Sequence, residues 1–316
     1  MAQLDPNSSP PCLPDSIHEA MARRAPMYVS PAIMEAIRVL ENTDPAPDRR
    51  RRLKTYRGAL MRVGTDRLFH PGPWWREPSG RIHCPGQNIA KGLRGHFRPS
   101  DPERDFVDAD LTGAHVAIAA SRSGDAALIA ATTAGVCYEN LAALLPSLDP
   151  EAARGIAKHV AATLINGGTE RAIMNQLVGK VADPRSAACA LMNGFWRAYP
   201  RLRWYIEGVM IAVRAAAARG AKTFDVPTLS GPVPIPISRG RERTALSAHW
   251  STVEAQALDF VLCHLHDRIG GLGGRLVLPM FDGLLVDAPS PLAGRVEEAL
   301  EALIVEALHS VDLGGR

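Results

Sequence analysis

One stretch constrains this chain more than any other: Asp108-Ala109-Asp110-Leu111-Thr112-Gly113-Ala114-His115-Val116-Ala117-Ile118-Ala119-Ala120. An apolar lead-in, Phe106-Val107, precedes it, and the small residues Ala114, Val116, Ala117 and Ala120 predict a helix behind it. A strand that ends in a carboxylate and turns tightly into a helix can hold a metal ion. The strand fixes the carboxylate, and the turn exposes backbone carbonyls beside it. Alone, Asp-x-Asp is ambiguous, because short acidic residues also cap helices and build turns.

Taken in order, residues 1–16 are rich in Pro, Ser and Asn and read as a disordered tail. Residues 17–78 form a basic helical region, with helices expected at 17–24 and from Pro31 to Asn42. Asp48 is placed to cap a third helix over 49–63, in which Leu53, Tyr56, Leu60 and Met61 share one face. The run Arg49-Arg50-Arg51-Arg52 is open to two readings, a solvated face or contacts to nucleic-acid phosphates. Short strand-like pieces occupy 64–107.

Beyond them, helices are expected near 113–122, 125–134, 150–166, 169–180, 184–198, 200–219 and 243–269. A hairpin is expected at 222–237, two strands flanking Asp282-Gly283, and a last amphipathic helix from Ser290-Pro291 to Ser310. With no internal repeat and no clear linker, residues 79–316 read as one α+β core.

Net charge is only +3, which compels no partner. The five cysteines are widely spaced and never form Cys-x-x-Cys, which argues against a zinc ribbon or disulfide framework and for a reducing compartment. With neither a signal-peptide pattern nor a membrane-length apolar run, a cytoplasmic protein is expected.

Three distant segments supply complementary chemistry. The first is the Asp108/Asp110 turn. The second is Arg154-Gly155-Ile156-Ala157-Lys158, whose cations lie one helical turn apart and so share a face. The third is Met280-Phe281-Asp282-Gly283, a carboxylate at a hairpin tip. Carboxylates attract divalent metal and paired cations attract polyphosphate, so together they suggest phosphoryl transfer by two metal ions.

On these residues the chain resembles the family A DNA polymerases, and more distantly the single-subunit RNA polymerases. Asp110-Leu111-Thr112-Gly113-Ala114-His115-Val116-Ala117, with Ala120 and Gly124-Asp125, is similar to motif A. Arg154, Lys158 and Leu164-Ile165-Asn166-Gly167 resemble the motif B helix, and Phe281-Asp282-Gly283-Leu284-Leu285 with Ala288-Pro289 resembles motif C. Gly80-Arg81, Gln87-Asn88-Ile89, the segment Phe195 to Pro200, Thr228-Leu229-Ser230-Gly231 and Glu242-Arg243-Thr244-Ala245 are similar to the family's connecting elements.

The resemblance implies a polymerase palm with a small antiparallel sheet, helical fingers around 150–180, a reduced or absent thumb and no exonuclease domain. It assigns Asp110 and Asp282 to the two Mg²⁺ ions, with the Leu111 carbonyl assisting and Asp108 as the alternative to Asp110. Lys158 and Arg154 would grip the triphosphate of a nucleoside triphosphate. His115 and Asn166 occupy nucleotide-binding positions. Arg81 and Arg243 would reach a DNA primer–template, and Arg50 and Arg51, on the basic helix, would meet duplex phosphates. A helicase or processivity partner would lengthen the products.

The departures shape the expected activity. The family's DNA polymerases carry Glu, which excludes the ribose 2′-hydroxyl, where this chain has His115. They carry aromatic residues where Ala162 and Asn166 stand, and His and Glu where Phe281 and Gly283 stand. Relaxed sugar selection, suited to primer synthesis, follows from the altered gate. The alternatives are a degenerate polymerase that binds nucleic acid without catalysis and, less economically, a glycosyltransferase built on Asp108-x-Asp110. Structural roles are expected for His264, His266, Trp74, Trp75 and Asp183, and Asp287 reads as a polar residue closing its strand.

Overall fold

Alternation of apolar and acidic side chains makes Arg104–Asp110 a strand with one dry face: Val107 and Ala109 are buried while Asp108 and Asp110 are exposed. A computed structural model of the chain describes residues 15–43, 53, 57, 60, 63, 65–70, 72–77, 79–84, 87, 91–110, 114–228, 231–280 and 283–311.

In chain order the elements begin with α1 (Asp15–Ala22), β1 (Met27–Val29), α2 (Ile33–Thr43), β2 (Leu68–Phe69), β3 (Trp75–Arg76), β4 (Ile82–His83), β5 (Phe97–Pro99) and β6 (Arg104–Asp110). Helices α3 (Ala114–Ser123), α4 (Ala126–Thr133), α5 (Cys137–Ala142), α6 (Pro150–Ile165), α7 (Glu170–Leu177), α8 (Pro184–Ala198) and α9 (Pro200–Ala218) follow. The chain continues with β7 (Thr223–Val226), β8 (Val233–Pro236), α10 (Glu242–Ile269), β9 (Arg275–Pro279), β10 (Gly283–Pro289) and α11 (Ala293–Ser310). Mixed helices and small antiparallel sheets, as read from the sequence, are what the chain forms.

It divides into two compact units: Met1–Leu111 with Leu258–Ala307, and Thr112–Ala257 with Leu308–Arg316. The first unit carries an antiparallel sheet of order β6-β10-β9 and another of order β2-β1-β5. Its core gathers Met27, Val29, Ile33, Ile37, Phe69 and Phe97 with Val277 and Leu278 of β9. Between Leu285 and Val286 the β9–β10 register shifts, so Val277 has no register partner in β10.

The second unit is mostly helical. Asp149 and Asp183 each cap a helix whose first residue is proline, and both helices start where the sequence places them. Asp125 caps twice. Its carboxylate accepts from Leu128 N in the first turn of α4, and from Arg201 N at 2.9 Å and Leu202 N at 3.2 Å at the start of α9. Trp250, fully buried, donates its indole N–H to the Ile165 carbonyl at 3.1 Å and ties α10 to the end of α6.

The differences from the sequence reading are local. Helix α2 starts at Ile33 rather than Pro31, because Ser30 turns the chain there: its carbonyl accepts from Ile33 N and its hydroxyl from Ala32 N. The six-residue α5 and three-residue β1 are too short for a hydrophobic period to be visible. Most of the expected 49–63 helix, the tail to residue 14 and the 229–230 turn lie outside the described residues.

Candidate active site

The sheet β6-β10-β9 carries the candidate acidic residues of the first unit. Its register places Gly283 opposite Asp110 and Leu285 opposite Asp108, so both carboxylates project from the β6 edge strand on one face. Met280 N donates to the Gly283 carbonyl at 2.7 Å, closing the hairpin around positions 281 and 282. Asp282, Phe281 and Leu111 lie outside the described residues, but the chain next to Asp282 is thereby brought beside Asp110.

The glycine is required. A Cβ at Gly283 would stand 2.3 Å from the Ala109 carbonyl oxygen and 2.9 Å from Asp110 Cα. The Gly283 departure noted in the sequence therefore goes with a close approach of two backbones.

Asp287 is more than a strand-closing residue. It is fully buried and accepts from Arg104 at 3.0 Å and from Arg275 at 2.9 and 2.6 Å, the latter a bidentate pair. Asp287 and Asp110 stand at opposite ends of the same pair of strands, one locking the sheet and the other presenting a carboxylate.

In the other unit, α6 presents the cations. Ala153, Ile156, Ala157, Val160, Ala161 and Leu164 are buried, which leaves Arg154, Lys158 and Ala162 together on the exposed face. Arg154 is engaged there. Its Nε donates to Glu139 of α5 at 2.6 Å, and its guanidinium lies 5.8 Å from the Tyr138 ring centroid. This hydrogen bond holds the Glu139 carboxyl below the usual carboxylate range. Nothing in the sequence marked Glu139, since fifteen residues separate it from its partner.

Asn166 is the C-cap of α6; its side-chain amide donates to the Ala162 carbonyl at 2.8 Å, and its Oδ1 is buried without a hydrogen-bond partner. His115 stands in the first turn of α3, with Nε2 3.4 Å from Oε1 of the buried Glu254. Arg243 is exposed in the first turn of α10, and Arg81 leads into β4 just after Gly80, which turns with φ +87°. Gln87 is buried, accepting from Cys84 N and donating to the Ile82 carbonyl, a structural role. Arg50 and Arg51 lie outside the described residues.

Among the described residues no group of three or more His, Cys, Asp or Glu side chains is placed to hold a metal ion. The donor set that is described, two exposed carboxylates on one strand face, consists of hard oxygen ligands of the kind magnesium takes. No helix among the described residues is long and apolar enough to cross a membrane.

Comparison with known proteins places this architecture. In fold the chain is similar to the POL domain of Pol1 from M. smegmatis, a structure in complex with DNA primer-template and dNTP: the TM-score is 0.63 at 20% identity, over 87% of this chain and 53% of that one. In sequence it is 25% identical over 211 residues to the thermostable DNA polymerase I of Thermus thermophilus, and 26% identical over 209 residues to that of Thermus caldophilus. Each alignment covers 65% of this chain, which spans about a quarter of the length of these relatives. No family model matches the chain. The resemblance to family A DNA polymerases read from the motifs is thus present in sequence and in fold.

Proposed function

We propose that this chain is a template-directed nucleotidyltransferase, a minimal family A-like DNA polymerase that extends or makes primers with relaxed sugar selection. The observation that carries the reading is the pairing of Gly283 with Asp110, which brings the motif C hairpin beside the end of the motif A strand. In this reading the β6-β10-β9 sheet is the palm, and α6 and α7 belong to the fingers.

Asp110 and Asp282 would hold two magnesium ions, with the Leu111 carbonyl assisting. When bound, these ions activate the attacking oxygen and neutralise the departing pyrophosphate. The primer 3′-oxygen forms a bond to the α-phosphorus, the bond to the β-phosphate bridging oxygen breaks, pyrophosphate leaves, and the hydroxyl proton passes to solvent. Lys158 and Arg154 bind and orient the triphosphate from one face of α6. Arg154 must then exchange Glu139 for phosphate, which an exposed ion pair of small net worth permits. Arg81 and Arg243 contact the primer–template backbone.

The test is extension of a labelled primer–template with Mg²⁺, using dNTPs and NTPs in parallel and Asp110→Ala and Asp282→Ala as controls. Products that require template and vanish in both variants support the reading. Duplex binding without any product would instead assign a catalytically degenerate nucleic-acid-binding module.

A further inference from the structure

Two exposed helix faces of opposite charge take no part in the proposed site. On α9, Leu202, Ile206, Val213 and Ala216 are buried, which turns Trp204, Gly208, Ile211 and Ala218 outward along one stripe. Trp204 and Ile211 keep 69% and 62% of their surface open, although side chains of this kind are the ones a helix ordinarily buries. Exposed arginines border the stripe, Arg201 and Arg219 on one side and Arg203 and Arg214 on the other. Between residues 197 and 219 five arginines stand against one carboxylate, Glu207. Arg203 is paired with Glu207 and Arg214 with Glu242, whereas Arg201 and Arg219 have no ion pair among the described residues. The acidic face lies on α11. There Val296, Leu300, Leu303 and Ala307 are buried, which turns Glu298, Glu301, Ala302 and Val305 outward. Val305 is 51% exposed. The helix carries four glutamates against one arginine, and among the described residues only Glu306 of the four has an ion pair, with Arg268.

We infer that these faces are the two halves of a contact between copies of this chain, with the acidic face of α11 in one copy seated on the basic face of α9 in another. The inference goes beyond the proposed catalysis and does not depend on it. Charge complementarity selects the occupant: Glu298 and Glu301 supply the carboxylates that Arg201 and Arg219 lack, and faces of opposite sign steer each other into register. The apolar residues match too. A tryptophan inside a rim of arginines is the usual composition of an interface anchor, and Val305 beside the small Ala302 offers it an apolar surface with room for the indole. The helices are also alike in length, 19 residues for α9 and 18 for α11. Two α9 faces would oppose arginine to arginine, so α9 does not pair with itself. A nucleic-acid strand would use the arginines and could stack a base on Trp204, but it leaves Ile211 idle and gives no role to the acidic face. Because the two faces differ, the contact occurs twice in a two-fold dimer or repeats along a chain of copies.

The test is sedimentation equilibrium of the full chain at low and high salt, beside the variants Trp204→Ala, Arg201→Glu/Arg219→Glu and Glu298→Lys/Glu301→Lys. All these positions are exposed, so urea denaturation should report wild-type stability. We expect self-association that weakens as salt rises, and a dissociation constant about tenfold higher in Trp204→Ala. Each charge-reversed variant alone should stay monomeric, and an equimolar mixture of the two should associate again, because each then meets a face of opposite sign. If a doubly reversed variant does not fold, Arg219→Glu and Glu298→Lys, mixed in the same way, decide. A monomeric wild type overturns the inference, as does a mixture that stays monomeric while the wild type associates. A labelled single-stranded oligonucleotide is titrated in parallel. Binding by a monomeric wild type, lost in Trp204→Ala and in Arg201→Glu/Arg219→Glu, would give the α9 face to nucleic acid instead.

Discussion

Gly283 stands opposite Asp110 across the β6–β10 pair, so close that a side-chain carbon at position 283 would come within 2.9 Å of Asp110 Cα and 2.3 Å of the Ala109 carbonyl oxygen. Neither atom belongs to a flexible side chain, so relief requires the two strands to part. Gly283→Ala is therefore expected to lower stability by about 1–3 kcal/mol, the range for overpacked sites. Its effect on extension should exceed that, because Asp110 moves with its strand. Denaturant titration beside primer-extension rates checks this; wild-type values for both would show that the strands separate freely.

Glu139 holds the guanidinium of Arg154, which in the proposed function must turn to the triphosphate. Removing the acceptor altogether by Glu139→Ala takes away this ion-pair partner, so nucleotide affinity should rise severalfold, in keeping with the modest worth of exposed ion pairs. Arg154→Ala should lower it. Opposite shifts in KM for the incoming nucleotide, at unchanged stability, are the expected signature, and parallel shifts would remove Arg154 from the triphosphate site.

Asp125 holds two helix starts with one carboxylate. A lost cap costs about 1 kcal/mol, so Asp125→Ala should cost about 2 kcal/mol or more. Asp125→Asn, which keeps one acceptor oxygen, should recover part of it. Urea denaturation of the three proteins measures the order.

Asp287 sits at zero exposure between Arg104 and Arg275. Taking away the carboxylate leaves the half-buried Arg104 guanidinium facing a dry site, and breaking a buried pair in this way costs about 3–5 kcal/mol. Asp287→Ala should thus be among the most damaging changes outside the site. Replacing Arg275, which is more exposed, should cost less, and thermal melts separate the two.

His249 is buried against Tyr205 and Trp250, and burial, with the charge of Arg122 adding to it, pushes its pKa down to about 4. The folded state thus resists a proton that the unfolded state accepts near its ordinary value of about 6.5. Its contribution to stability is complete above that value and is lost as pH falls toward 4. Wild type should lose stability over this window faster than His249→Gln, by at most about 1.4 kcal/mol per pH unit. Denaturation midpoints of both proteins from pH 4 to 7 supply the comparison, and parallel curves would place the imidazole in contact with water.

Much of the helical half was legible because caps and periods are local. Asp149-Pro150 and Asp183-Pro184 mark helix starts, and the buried positions of α6 recur at helical spacing. The hairpin strands around Asp282 and the polymerase resemblance were readable for the same reason, since each motif is a short run whose residues act together. Asp287 was misjudged as a strand end because its partners, Arg104 and Arg275, come from two other strands.

The sequence by itself determined the segments: which runs become strand or helix, where the acidic and basic groups lie along them, and which polymerase motifs they resemble. Tertiary structure alone decided the partners. Register set Gly283 against Asp110, and packing set Glu139 on Arg154, Glu254 on His115, and Asp125 on the start of α9. The physical reason is range. Backbone preferences and amphipathic periods act within a few residues, whereas a buried charge or a close backbone contact is specified by whatever distant segment folding brings to it.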